Sequence, residues 1–281
     1  MTKRLFLFAG YDANGIIDDA LIHYVRSMSE YGDVILCMDC DCPKSELKRA
    51  APYVLYAMAM RHGEYDFGSY KRAYMYARDA GILKNYDFVY MINDSVYGPL
   101  MDVGPTLTRM ENLNTDAFGI AYNPSHSGPH IQSWFVGMRK SVFMSLWYDE
   151  FMCSVSHQSD KGLITYMYEQ GFTRLLNAHN ASWGYLYRTR GRSVYNNVAA
   201  LFRRGMPFMK KCAFPRYFGG LGNRILYILD HISPDVRRAI MDSARRTYGT
   251  DVVAHTLTRN PIRITYRRMK HVLRKILIEG I

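Results

Sequence analysis

Asn85-Tyr-Asp-Phe-Val-Tyr-Met-Ile-Asn-Asp-Ser-Val-Tyr-Gly-Pro-Leu100 is the stretch whose reading decides the fold. Phe88 to Ile92 is a short run of aromatic, branched and sulfur-containing residues between polar ones. A strand buried on both faces reads this way. Asn93, Asp94 and Ser95 arrive together at its C-terminal end, and Gly98-Pro99 turns the chain away. In an open α/β sheet, ligands bind in the crevice outside the carboxyl ends of the strands. Asn-Asp-Ser is also ordinary turn chemistry, so the rest of the chain has to choose between a turn and a site.

Working outward, the surroundings alternate strand and helix. Leu5–Phe8 reads as a strand, and Asp18 or Asp19 caps a helix with Leu21, Tyr24, Val25 and Met28 on its apolar face. Asp33–Met38 reads as the next strand, so the chain opens as a strand–helix–strand unit with a parallel sheet. Gly10 and Gly15 lack the spacing of a dinucleotide fingerprint, which excludes a standard NAD-type site. A short helix at 46–50, a strand at 53–59 and a helix at 69–79 follow. The start of that helix, with Gly63 and Gly68 before it and Lys71 in its first turn, reads as an anion site suited to a diphosphate. Beyond the central strand come a helix at 105–112, strands at 116–122 and 133–138, and helices at 141–152 and 161–170, the second stopped by Gly171. Trp183–Tyr187 reads as a pocket wall or as core.

The 281 residues are 48% hydrophobic, enough for one large α/β domain with an appendage. No apolar run is long enough to span a bilayer, and the apolar segment near Met1 is too short for a signal peptide. A cytoplasmic location is expected. Cys37, Cys40, Cys42, Cys153 and Cys212 are odd in number, which argues against a disulfide framework. The first three are close enough to suggest a metal site, but no second Cys/His cluster completes a tetrahedral set, so they read as small apolar fillers. Charge is uneven. Residues 186–281 hold 20 Lys+Arg against 5 Asp+Glu, whereas the first 185 hold 16 against 20. Ile262, Tyr266, Met269, Leu273 and Ile276 fall on one helical face, with Arg263, Arg267, Arg268, Lys270, Arg274 and Lys275 off it or at its edges. A basic tail of this kind points to a polyanion, either nucleic acid or an anionic membrane surface.

Three blocks resemble the rhamnan-synthesis protein F family of bacterial polysaccharide glycosyltransferases: Tyr65-Asp-Phe-Gly-Ser-Tyr-Lys71, Asn93-Asp-Ser-Val-Tyr-Gly-Pro99 and His130-Ile-Gln-Ser-Trp-Phe135. Pro207-Phe-Met-Lys210 looks like a later one. The resemblance covers roughly residues 3–215 and leaves the basic tail outside. It implies an α/β, GT-A-like, mostly parallel sheet flanked by helices over residues 1–215, with 216–281 a basic helical extension. It also implies a nucleotide-sugar donor, with dTDP-rhamnose one candidate, and a growing lipid-linked glycan as acceptor. GT-A enzymes hold a divalent metal on the donor diphosphate through an Asp-x-Asp motif. Asn93-Asp94-Ser95 occupies the equivalent place with one carboxylate, so Asp94 is the metal ligand if Mg²⁺ or Mn²⁺ is used.

An inverting transfer needs one carboxylate to deprotonate the acceptor hydroxyl. Asp160, Asp66 and Asp94 are the candidates. Asp160 precedes the helix at 161–170, where the resemblance implies a base and where a helix cap also belongs. The expected donor-binding set is Gly10, Tyr11, Asp66, Gly68, Lys71, Asn93, Asp94 and Ser95. His130, Gln132, Ser133 and Trp134 are the acceptor or sugar-binding set. The reading is an inverting glycosyltransferase for cell-surface polysaccharide (O-antigen or capsule), peripheral on the inner face of the cell membrane. A nucleic-acid-binding protein and a non-catalytic scaffold are the rivals. No recognised nucleic-acid motif appears, and the tail charge lies beside an apolar stripe, which favours the membrane.

Overall fold

The computed structural model describes residues 2–124, 128–190, 192–216, 221–266, 269, 270 and 273. Expectations placed on His126, Arg267, Arg268, Arg274, Lys275 and Ile276 lie outside the described residues. The chain divides into two compact units, Met1–Asp94 with Asp102–Gly191, and Ser95–Met101 with Arg192–Ile281. The boundary expected at 215 falls inside the second unit.

The first unit is built on an eight-stranded sheet. Its strands are β1 (Arg4–Gly10), β2 (Asp33–Met38), β3 (Tyr56–Ala59), β4 (Phe88–Asn93), β6 (Ala117–Asn123), β7 (His130–Ile131), β8 (Phe135–Arg139) and β9 (Trp183–Arg188); β5 (Val96–Tyr97) belongs to the second unit. Their order is β3-β2-β1-β4-β8-β6-β7, with β9 also paired to β6. β3, β2, β1 and β4 run parallel, β8 is antiparallel to both β4 and β6, and β9 is parallel to β6. Helices flank this mostly parallel α/β sheet, as expected. All six residues of β4 are buried, as its apolar run requires. Trp183–Tyr187 is a strand. Tyr122 stacks on Tyr185 at 4.4 Å between ring centroids.

Local chemistry sets the crossovers. Asp18 caps the first helix (Asp19–Ser29) by accepting from the Leu21 amide at 3.0 Å. The helix Tyr65–Asp79 starts four residues before its expected position at Ser69. Its buried face, Phe67, Tyr70, Ala73, Tyr74 and Ala77, packs into one core with Leu5, Leu7, Val89 and Met91 of β1 and β4. Each large apolar side chain so buried contributes about 1.5–3 kcal/mol. The expected helix at 141–152 is two, Lys140–Phe143 and Leu146–Ser154, because Ser145 recaps the chain on the Tyr148 amide. The helix expected to stop at Gly171 runs on. Lys161–Ile164 passes into a π-turn, Thr165–Glu169, and then into Gln170–Ala178.

In the second unit, β5 pairs antiparallel with β10 (Met209–Lys210). Gly98 has φ +147°, and a Cβ there would lie 2.6 Å from the Pro207 oxygen, so only glycine lets these two segments meet. Helices Ser193–Asn196, Val198–Arg203, Leu221–Leu229, Pro234–Tyr248 and Thr250–Thr256 belong to the same unit. The Thr256 hydroxyl donates to the Phe214 carbonyl at 2.8 Å, and the Tyr97 hydroxyl donates to Ser243 Oγ at 3.3 Å. The chain is helical again at 261–266, 269–270 and 273. There Ile262, Tyr266, Met269 and Leu273 are 77%, 64%, 60% and 54% exposed, so the described part of the predicted apolar stripe faces solvent. No helix among the described residues is long and apolar enough to cross a membrane.

Candidate active site

β1 and β4 end side by side, with Ala9 opposite Asn93. The Asp94 amide donates to the Ala9 carbonyl at 3.1 Å, and the Asn93 amide donates to the Trp134 carbonyl at 3.2 Å. The turn that leaves β4 is thus held by the strand on either side. Asn93 is buried and Asp94 half-buried. The Asn93 side-chain amide donates to Asp66 Oδ2 at 2.8 Å, which joins the first and second sequence blocks. The charge of Asp94 reaches the buried Tyr24 hydroxyl. Burial first, and then that charge, hold the Tyr24 pKa well above its ordinary value.

The third block closes the same neighbourhood. The Tyr70 hydroxyl donates to the Ser133 carbonyl at 3.0 Å. Ser133 Oγ donates to Glu169 Oε2 at 2.7 Å, and His130 Nε2 lies 2.9 Å from Glu169 Oε1. His130 Nδ1 lies 2.7 Å from the Gly128 carbonyl. Both ring nitrogens therefore face oxygens that only accept, and an imidazole with two donors is the imidazolium. Burial lowers the His130 pKa. The Glu169 hydrogen bond, the Gly128 carbonyl and the Glu169 charge outweigh it, and the pKa is raised from the ordinary value. Glu169 ends the π-turn, and such bulges recur at functional sites. Sequence reading missed it: Tyr166-Met-Tyr-Glu-Gln-Gly171 has no feature that sets this glutamate apart from a solvent-facing one.

Other expected residues are employed differently. Lys71 lies in the second turn of Tyr65–Asp79, and its Nζ donates to the Val155 carbonyl at 2.7 Å. The helix start carries Glu64 and Asp66, two carboxylates where a diphosphate would need cations, so it does not make the expected anion site. Gly68 lies inside the helix, and a Cβ there would meet the His62 ring and Glu64 at 2.4–2.7 Å. Its smallness serves packing rather than ligand approach. Gly10 is likewise closed over by Met38, whereas Tyr11 beside it is 54% exposed. Trp134 and Gln132 are buried, and Trp134 Nε1 donates to Gln132 Oε1 at 3.0 Å, so the indole is core rather than a sugar platform. Asp160 is exposed and accepts from the Leu163 amide at 3.3 Å, the cap of its helix. In the second unit, Lys210 is buried with its Nζ donating to Ser95 Oγ at 2.9 Å.

The described cysteines are free thiols, and burial pushes Cys37 up to about 11. Among the described residues no three His, Cys, Asp or Glu side chains gather into a metal-binding group. At the β4 end the turn itself carries Asp94, with the Asp66 carboxylate bonded to the Asn93 side chain behind it. That suits a hard cation only where phosphate oxygens and water fill most of its shell.

A family model described as rhamnan synthesis protein F matches residues 12–280. The chain belongs to the rhamnan synthesis protein F family. The match runs through the basic tail, which sequence reading had left outside the resemblance. No curated protein matches the chain. Among solved structures, core-mannan synthase A from Aspergillus fumigatus in its Mn/GDP form is similar at 12% identity and TM-score 0.33, over 54% of this chain and 63% of that one. This chain thus spans under two thirds of that one. A glycosyltransferase involved in glycosylation of the major capsid of PBCV-1 is similar at 11% identity and TM-score 0.40, over 81% and 99%. Residues 1–349 of S. aureus TarS are similar at 9% identity and TM-score 0.37, over 100% and 92%.

Proposed function

We propose that this member of the rhamnan synthesis protein F family transfers a sugar from a nucleotide-sugar donor to a growing glycan on a lipid carrier, with inversion at the transferred carbon. The observation that carries the reading is Asp94, a half-buried carboxylate on the turn after the central strand, held by backbone bonds on both sides. Ligands of α/β sheets sit at such strand ends. Asp94 is the residue proposed to meet the donor, with Asn93 and Asp66 fixing its turn from behind.

Asp94 is also the proposed ligand if Mg²⁺ or Mn²⁺ accompanies the donor; such a cation neutralises charge on a departing diphosphate. Asp160, exposed at its helix start, is the proposed base for the acceptor hydroxyl. Rhamnose is the proposed sugar on the strength of the family description. The exposed stripe of Ile262, Tyr266, Met269 and Leu273 beside Arg263 and Lys270 supports docking on an anionic membrane face. Basic amphipathic helices lie in that interface. Nucleic acid would leave the stripe in water.

The experiment incubates the full chain with a panel of nucleotide sugars, dTDP-rhamnose first, and lipid-linked glycan in anionic or neutral vesicles. Expected are release of the nucleoside diphosphate, a product longer by one sugar of inverted configuration, and flotation with anionic vesicles only. Flotation should be lost on deletion from Pro261 onward. No turnover with any donor, despite a folded chain, overturns the reading.

A further inference from the structure

Resting on that reading, we infer that Glu169 is a positioning residue for the Asn93–Asp94 turn, acting through Ser133 and the peptide that follows it. The path is continuous and lies wholly in the first unit. Glu169 takes the Ser133 hydroxyl on one oxygen and the His130 ring on the other. The two residues it grips, His130 and Ser133, flank Ile131 and Gln132, and the link from β7 to β8 is residues 132–134. In that link, the Ser133 carbonyl receives the Tyr70 hydroxyl and the next carbonyl, that of Trp134, receives the Asn93 amide. Asn93 in turn reaches Asp66, and Tyr70 lies against the Asn93 side chain. A shift of Ser133 carried on to Trp134 therefore moves the hydrogen-bond acceptor from which Asp94's neighbour hangs.

The π-turn explains why the carboxylate can do this. A regular α-helix from Lys161 to Ala178 would use 3.6 residues per turn throughout; the wider turn at Thr165–Glu169 rotates everything after it. Thr173, one turn further on, adds a neutral tie: its Oγ accepts the Ile131 amide at 3.2 Å, next to His130 and just before the link. β7 is thus tied through both its residues, His130 to the π-turn and Ile131 to the helix after it. Only Glu169 makes the tie ionic.

The tie is also conditional on protonation. Among the described groups, the charged ones facing His130 are Glu169 of the π-turn and Arg174 of the following helix; the third partner is the Gly128 carbonyl. Arg174 opposes the imidazolium and Glu169 supports it. Loss of the imidazolium proton removes one of the two donors and loosens the link. Removal of the Glu169 charge leaves only the Gly128 carbonyl against burial and Arg174, so the His130 pKa falls.

The test compares wild type, Glu169→Gln, Glu169→Asp and Ser133→Ala. The readouts are pH profiles of kcat and KM, and NMR titration of His130 with hydrogen exchange at the Asn93 amide. Glu169→Gln should lower kcat by 10- to 100-fold with donor KM within threefold. It should move the alkaline limb of kcat to lower pH by at least one unit, lower the His130 pKa in parallel and speed Asn93 amide exchange. Glu169→Asp should recover part of kcat and of the limb. A merely structural glutamate would lower melting temperature and activity at every pH without moving the limb, and that result overturns the inference. The NMR arms need no turnover. If no donor is used but His130 and the Asn93 amide respond, the functional reading fails and the coupling stands; if the Asn93 amide is indifferent to Glu169, the inference fails whatever the activity.

Discussion

Two histidines on the same sheet-based unit face opposite chemistry. His62, beyond β3, accepts the Glu64 amide on Nδ1 at 3.0 Å and so carries its proton on Nε2, 3.0 Å from Ser69 Oγ. It is neutral. Burial first, then the charge of Arg72, lower its pKa against the opposing pull of Asp39 and Glu64. His130, the first residue of β7, donates from both nitrogens, and its pKa is raised. The difference lies in the backbone. At His62 an amide points at the ring and Asp39 is already taken by the His62 and Gly63 amides, at 2.8 and 3.0 Å. At His130 a carbonyl points at the ring and Glu169 reaches in from another element. The first arrangement is a loop holding itself closed. The second couples two elements, β7 and the π-turn.

The comparison breaks most sharply at Asp94. If the β4–β8 end is the working end, Asp94→Asn keeps the turn bonds and shape but removes the charge. Loss of a charged contact costs roughly 1.5–3 kcal/mol, or about 10- to 150-fold in turnover. Turnover measured beside a thermal melt should show that loss with an unchanged melting temperature. Chelator titration of wild type then tells a metal ligand, which is EDTA-sensitive, from a direct acceptor for the donor. Full activity in Asp94→Asn would reduce the β4 end to the same structural status as the His62 loop.

Much of this was legible in the sequence, and the reason differs residue by residue. β4 announced itself because burial on both faces demands an unbroken apolar run, and Asn93–Ser95 stood out as polar residues at its end. Asp18 was legible because capping is local. Glu169 was not, because its partners lie 36 and 39 residues earlier and a π-turn breaks the very periodicity by which a helix is read. The unit boundary after Asp94 was hidden for a similar reason: β5 finds its partner at Met209–Lys210, more than a hundred residues on.

A smaller effect sharpens the histidine contrast directly. A folded-state pKa raised above the unfolded value contributes stability that is fully present below the unfolded pKa, about 6.5 for histidine, and is lost as pH rises through the folded value. That is His130. A lowered histidine pKa has the opposite sign: its contribution is present above the unfolded value and is lost as pH falls through the folded one. That is His62. The melting-temperature gap between wild type and His130→Gln should therefore shrink on the alkaline side, and the gap between wild type and His62→Gln on the acidic side. Melts from pH 5 to 9 decide it. Gaps that shrink on the same side would mean that the two rings share one protonation state.

The smallest expected effect is at Lys71, where sequence and structure diverge most plainly. Read alone, a lysine near a helix start beside glycines belongs to a phosphate site. In the fold the helix begins at Tyr65, Glu64 and Asp66 hold its first turn, and the Lys71 amine closes on the Val155 carbonyl 84 residues away. A charged donor spent on a backbone carbonyl is a brace between the helix and the segment before Ser156. Lys71→Met keeps the stem and removes that bond, and because the site is only part-buried, solvent screening brings its net worth down to about 0.5–1.5 kcal/mol. Denaturant unfolding should report that loss, while nucleoside-diphosphate binding stays within twofold of wild type. A tenfold weaker nucleotide with unchanged stability would return Lys71 to the donor site and would make the region around the helix start, rather than the Asp94 turn alone, the place where phosphate is held.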